Sequence, residues 1–351
     1  MKVRVLLLLA AAAAAAVALV LVGTGSARTD AQAKKQATIK VADVTDIGGV
    51  NDKGFNHLSV VGLKRAQTKL GVKGRVYITN SASDRKPNLI KAAQAGYNPV
   101  IAVGVLYQFG PLGDVAPSFS KTKFVGIDVD ETGVSGKPKN VRGVQFREQE
   151  AGYLVGYIAG LEIKRHPHKG KQIISAVGAN KVPAIIRYIA GYKAGAKKAD
   201  SKVTVKVDYA NDPTFADQTK CKATTQNQIT AGSGIVFEVA GACGLGGLSA
   251  AKQAHIWGIG VDADQSFLGK HILTSATKHV DVAVYRAIRD YKKNPKGFKG
   301  GFNTVYDIKN GGVGYGKLSS ALSAKDRAYI TTKVNAIAKQ IASGKIKPPT
   351  S

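Results

Sequence analysis

Asp43, Asp46 and Asp52 crowd one short stretch of the chain, interrupted by Gly48 and Gly49 and followed at once by Phe55 and Asn56. Carboxylates accept hydrogen bonds and repel anions, so this set suits some ligands and excludes others. Before it, the alternation of residues 39–42 reads as a buried strand. After it, Leu58, Val61, Gly62 and Arg65 recur at helical spacing and give one buried face. The acids therefore occupy a strand-to-helix turn, where ligands bind in open α/β sheets. A phosphate cradle is excluded: neither G-x-G-x-x-G nor G-x-x-x-x-G-K-[ST] is present, and Asp46 and Asp52 would repel a phosphate. Acceptors beside a Phe suit a neutral, flat, donor-rich ligand. The competing reading is an acidic, glycine-bearing turn with no ligand.

Other acids follow predicted strands: Asp128 with Asp130, and Asp262 with Asp264. Strand polarity would gather them with Asp46 on one rim. Paired carboxylates could hydrolyse a glycosidic bond, but nothing in the spacing selects a pair, whereas binding hydroxyls or amines needs only acceptor oxygens. His166 and His168 flank a proline in a basic segment and read as a solvated loop; the remaining histidines lack metal-ligand spacing. No G-x-S-x-G elbow occurs. Residues 241–247 (GACGLGG) open a helix, and their amides could hold an anion or a ligand oxygen. A tight turn needing close backbone approach is the alternative.

The elements that must position these groups alternate strand and helix. Strands are expected at 75–79, 99–103, 123–127 and 141–146, with helices over 87–95 and 111–119. Residues 148–161 predict a helix with Gly152, Gly156 and Gly160 at every fourth place, a face for close packing. The rhythm restarts with strands at 171–177, 203–208, 234–237 and 256–260 and helices at 182–199, 214–229 and 244–254. A strand at 272–275, a helix at 278–291 that Lys278 begins, short strands at 304–308 and 312–315 and a helix at 324–343 follow. The fold class is α/β, with two doubly wound lobes, several crossings between them and a cleft at the hinge. The first lobe is expected to comprise 38–146 plus about 265–303 and the second 147–264 plus about 304–320, with 321–351 a closing helix and tail.

The chain has 351 residues, enough for two domains, and 51 basic against 23 acidic side chains, a net charge of +28. Such an excess suggests nucleic acid or an anionic envelope surface. Lys2 and Arg4, the apolar run from Val5 to Val22 and the small residues 23–27 read as a secretory signal, cleaved after Ala27 or Ala33. Export, and the lack of aromatic-basic or zinc-ligand patterns, argue against nucleic acid. No Cys follows the run, so lipid modification is not expected there. Cys221 and Cys243 form an even pair that reads as one disulfide in an oxidising space; two separate buried thiols are the alternative.

Six ordered segments carry a resemblance: 46–56 (DIGGVNDKGFN), 124–128 (FVGID), 150–160 (EAGYLVGYIAG), 236–241 (VFEVAG), 260–262 (GVD) and 274–278 (TSATK). Together they resemble the basic membrane protein family of ABC-transporter substrate-binding proteins, which includes purine nucleoside receptors, over roughly residues 38–315. The resemblance implies the type I periplasmic-binding-protein fold and no enzymatic activity or cofactor. It implies that Phe55 and Phe237 sandwich a purine, that Asp46 and Asp128 accept from the base, and that Asp262 and Lys278 hold the ribose, with Asn56 and Gly241 in the same ligand-binding set. The implied partners are a purine nucleoside or similar molecule and an inner-membrane ABC permease; the protein is expected to be a periplasmic or extracellular monomer, membrane-associated if its N-terminal segment is retained. Gly54 in place of the family's Ser, the GACG loop at 241–244 and Glu238 beside Phe237 are departures that bear on the ligand. The rival functions are a nucleoside or sugar hydrolase using the clustered acids, and an envelope protein binding anionic polymers.

Overall fold

A computed structural model describes residues 38–351; the predicted signal segment lies outside the described residues. The first sheet comprises β1 (Lys40–Val44), β2 (Lys73–Tyr77), β3 (Val100–Val103), β4 (Phe124–Ile127), β5 (Val141–Phe146) and β11 (Phe302–Tyr306), in the order β11-β5-β4-β3-β1-β2 and all parallel. The second comprises β6 (Ile173–Gly178), β7 (Thr204–Tyr209), β8 (Ile235–Val239), β9 (Trp257–Asp262), β10 (Ile272–Lys278) and β12 (Val313–Tyr315), in the order β12-β10-β9-β8-β6-β7. Only β12 runs antiparallel there. The inner strands β3 and β4 are buried along their whole length, which is why they read as continuous apolar runs; β8 is equally buried but carries Glu238.

Helices cover both faces. In the first lobe α1 (Phe55–Leu70) packs against α8 (Val280–Lys293), and α2 (Arg85–Gln94) against α3 (Pro111–Val115). In the second, α4 (Glu148–Arg165) packs on α5 (Pro183–Ala199) and α6 (Gln218–Thr230) on α7 (Gly244–Gln253); α9 (Ala324–Ala342) lies against α4. The fourfold glycine spacing of α4 has its cause in α5. A Cβ on Gly152 or Gly156 would stand 2.1 Å from the carbonyl oxygen of Tyr188 or Tyr192. The contact is two-sided, because a Cβ on Gly195 would meet Tyr153 O at 2.0 Å. Backbones this close leave room for no side chain between them. Among the described residues, no helix is long and apolar enough to cross a membrane.

The chain passes between lobes after β5, after β10 and after β11. The crossings are bonded together: Arg147 N donates to Tyr306 O (2.8 Å), His279 N to Gly312 O (2.9 Å) and Ile308 N to Glu150 Oε2 (2.8 Å), and Phe146 stacks on Tyr306. The expected division gave 265–303 to the first lobe and 304–320 to the second. The strands fall otherwise: β10 pairs with β9 in the second sheet, and β11 with β5 in the first. Lys278 also ends β10 rather than beginning a helix, since α8 starts at Val280.

Candidate functional site

A cavity of about 730 Å³, its mouth included, lies between the lobes at the carboxyl ends of the strands. The first lobe lines it with Asp46–Gly48, Asp52, Phe55 and Asn56 from the β1–α1 turn, Gly104–Leu106 after β3, and Asp128 after β4. The second contributes Tyr188 and neighbours from α5, Phe215 ahead of α6, Val239–Ala242 at and beyond the end of β8, Asp262 and Lys278.

The β1–α1 turn is built by its own polar side chains. Asp52 accepts from the amides of Gly54 (3.1 Å), Asn56 (2.7 Å) and His57 (2.9 Å), satisfying donors that the start of α1 leaves free. Asn56 accepts from Asp46 N and donates to Asp46 O and Ile47 O, so its amide shapes the loop. Asp46 pairs with Arg85, whose Nε lies 2.8 Å from Oδ1. Burial raises the Asp46 pKa, and Arg85 opposes the rise. Gly104, at φ +127°, passes so close that a Cβ there would sit 2.7 Å from Asp46 Oδ2.

At the opposite wall Lys278 is almost completely enclosed. Its ammonium lies 2.5 Å from Asp128 Oδ2 and 3.0 Å from Glu148 Oε1, with the rings of Phe55, Phe146 and Tyr188 around it. Burial alone would lower its pKa, but Asp128, Glu148 and Asp262 hold it well above the ordinary lysine value. Arg187 Nε closes the chain at 2.6 Å from Glu148 Oε2. Asp128 and Asp262 both adopt φ +63°, a left-handed conformation uncommon outside glycine and concentrated at functional sites. Burial raises the Asp128 pKa against the pull of Lys278, and its Oδ1 has no hydrogen-bond partner among the described residues. Burial takes Asp262 up to about 7, with Lys278 opposing and Asp128 adding; Tyr188 Oη donates to its Oδ1 at 3.4 Å. An enclosed cation, carboxylates with open acceptor positions and aromatic walls can hold a flat ligand bearing hydroxyls and ring donors.

Seven of the eight expected ligand residues line this cavity: Asp46, Phe55, Asn56, Asp128, Gly241, Asp262 and Lys278. Phe237 does not. It is fully buried on β8, with ring centroids 5.1 Å from Tyr192 and 6.0 Å from Tyr188. Two second-lobe aromatics line the cavity: Tyr188, which packs edge-on against Phe237, and Phe215, half-buried at φ +58°. Its place in an Asp/Pro-bearing turn just past a strand is the signal that could have found it. The amides of Gly244, Leu245 and Gly246 donate within their own turn, to Gly241, Ala242 and Cys243, and that of Cys243 donates to Phe215 O, so these four are taken up by the fold. Asp130 and Asp264 bond Thr132 and Ser266 instead of facing the cavity. Glu238 points into the second lobe, accepts from Thr225 Oγ1 at 2.6 Å, and is raised to about 8 by burial. Cys221 and Cys243 are bonded, tying α6 to the start of α7.

A family model described as ABC transporter substrate-binding protein PnrA-like (Bmp) matches residues 39–347. The chain is 33% identical to the ABC transporter nucleoside-binding protein BmpA of Lactococcus lactis, over 90% of each sequence. It is 31% identical to basic membrane protein A1 of Borrelia garinii, over 79% of each. An ABC transporter system solute-binding protein from Aeropyrum pernix superimposes with a TM-score of 0.76 at 28% identity, over 89% of this chain and 94% of that one.

Proposed function

Because the chain belongs to the Bmp family of PnrA-like ABC-transporter substrate-binding proteins, we propose that its cleft captures a purine nucleoside and delivers it to an inner-membrane permease. A member of this family binds its solute and does not transform it. Phe55 and Phe215 enclose the base from the two lobes, and Asp46 and Asp128 accept from its ring edge. Asp262 and Lys278 take the ribose hydroxyls. Lobe closure is the binding step, driven by the ligand's higher affinity for the closed state. The observation that carries the assignment is the joining of first-lobe Asp128 to second-lobe Lys278 in a cavity that Phe55 and Phe215 also line. Export places the receptor outside the cytoplasmic membrane, in keeping with relatives described as lipoproteins.

The test is mass spectrometry of small molecules released on denaturing the protein purified from its native host. A purine nucleoside in near-stoichiometric amount is expected. A sugar or amino acid in that amount would overturn the assignment.

A further inference from the structure

The net charge of +28 has no part in the cleft, where the carboxylates collect. The cations collect at the other end of the first lobe. Lys40 and Lys73 stand side by side at the starts of β1 and β2. Lys121 O accepts from Asn98 just ahead of β3, and Lys299 O from Arg142 at the start of β5, so these lysines share that rim. The helices end here too: Lys40 Nζ reaches Ala95 O beyond α2, and Lys292 of α8 bonds Leu70 O at the end of α1, next to Lys69. All six are exposed. Asp290, the carboxylate of this end, is paired with Arg289 at 2.8 Å.

Helix dipoles account for cations at Lys69 and Lys292, in or beside last turns. The end of α2 accounts likewise for Lys40, whose Nζ meets Ala95 O, but not for Lys73, Lys121 and Lys299 beside strand starts, where sheet dipoles are small. Lys40 opposite Lys73 is a like-charge pair that weakens the ladder. Lys40 serves a fold contact through Ala95 O and the Tyr97 ring, whereas Lys73, Lys121 and Lys299 are exposed and point outward. The second lobe's far end is also basic: Lys164, Arg165 and His166 are matched there by Asp200 and Asp326, while Lys169, Lys197, Lys198 and Lys202 are exposed and supply the control for position. The described fold also begins at the first lobe's rim, Ile39 O accepting from Lys73 N.

We infer that the far end of the first lobe is a docking face for an anionic phospholipid surface, separate from the ligand cleft. Lysines near an anionic bilayer contribute additively and lose effect within a Debye length.

The exported protein is sedimented with vesicles of neutral phosphatidylcholine, or of phosphatidylcholine mixed equally with anionic phosphatidylglycerol. The readout is the ratio of the two partition coefficients, which cancels any contribution from the apolar N-terminal run. One variant carries Lys69→Gln, Lys73→Gln, Lys121→Gln and Lys299→Gln; a control carries Lys169→Gln, Lys197→Gln, Lys198→Gln and Lys202→Gln on the second lobe. The first should lower the ratio at least ~10-fold and the control less than ~2-fold, with melting temperatures unchanged in both. Equal losses in the two variants would reduce the effect to net charge and overturn the docking face. So would a parent ratio near unity, or preference of the parent for soluble poly(glycerol phosphate) over the anionic vesicles.

Discussion

Truncating Phe215 and Phe237 separately should divide ligand affinity from stability. Phe237 is fully buried between Tyr188 and Tyr192, so Phe237→Ala opens a core cavity and should cost about 3–5 kcal/mol of stability. At ~2.1 cal/mol/K of unfolding entropy per residue over roughly 310 folded residues, each kcal/mol is worth about 1.5 °C, so the melting temperature should fall by roughly 5–8 °C. Phe215 is half-buried on the cavity wall and has no comparable core role. Its loss removes about 0.5–1.5 kcal/mol of ring stacking and part of the ring's burial. Phe215→Ala should therefore weaken binding of adenosine by about 1–3 kcal/mol, ~5- to 150-fold in Kd. Calorimetry measures affinity well below each variant's transition, and ligand-free melts measure stability. Tyr188 touches Phe237 and also lines the cavity, so Phe237→Ala is allowed an indirect loss of about threefold. A folded Phe237→Ala variant that loses more affinity than Phe215→Ala would refute this assignment of the two rings.

Asp43 is completely buried on β1 with neither oxygen bonded among the described residues, and burial raises its pKa from 3.8 to about 7. The folded state then holds a proton that the unfolded chain releases, so stability is greatest below pH ~4, falls as pH rises to about 7 and is level above, by up to ~4 kcal/mol in all; Asp43→Asn should abolish that slope in melts across pH. If the ionised Asp262 accepts the ribose hydroxyls, nucleoside affinity should rise up to ~10-fold from pH 6 to 8, through its pKa of about 7. Asp262→Asn should flatten that profile in calorimetry, and an unchanged slope would remove Asp262 from the sugar site. Lys278→Met leaves Asp128 and Glu148 buried without their cation and should cost about 3–5 kcal/mol of stability; its affinity for a nucleoside should fall more than that for the free base. Reducing Cys221–Cys243, 22 residues apart, should lower stability by about 3 kcal/mol in denaturant melts.

Much of the two-lobed fold was legible because parallel strands buried on both faces write unbroken apolar runs, and the turns between them carry Gly, Asp and Pro. The fourfold glycines of α4 announced a close contact, though not that its partner was α5. Lobe membership of β10 and β11 was hidden, since nothing local marks where a connection leaves one sheet for the other. Phe237 was misread because its segment matched a family pattern, while its strand position sends it into the core. Phe215 was missed although it stands just past β7, where the rule applied to Phe55 would have placed a ligand contact. The partners of the site acids, Arg85 for Asp46 and Glu148 with Arg187 around Lys278, come from distant segments and leave no trace in local spacing.

The central claim is that the cleft recognises a purine nucleoside, and calorimetric titration of ligand-stripped protein tests it most directly. Adenosine, guanosine and inosine should each saturate one site, with uridine and ribose binding far more weakly because neither offers a two-ring base to Phe55 and Phe215. Saturable binding of ribose with no response to any purine nucleoside would contradict the account.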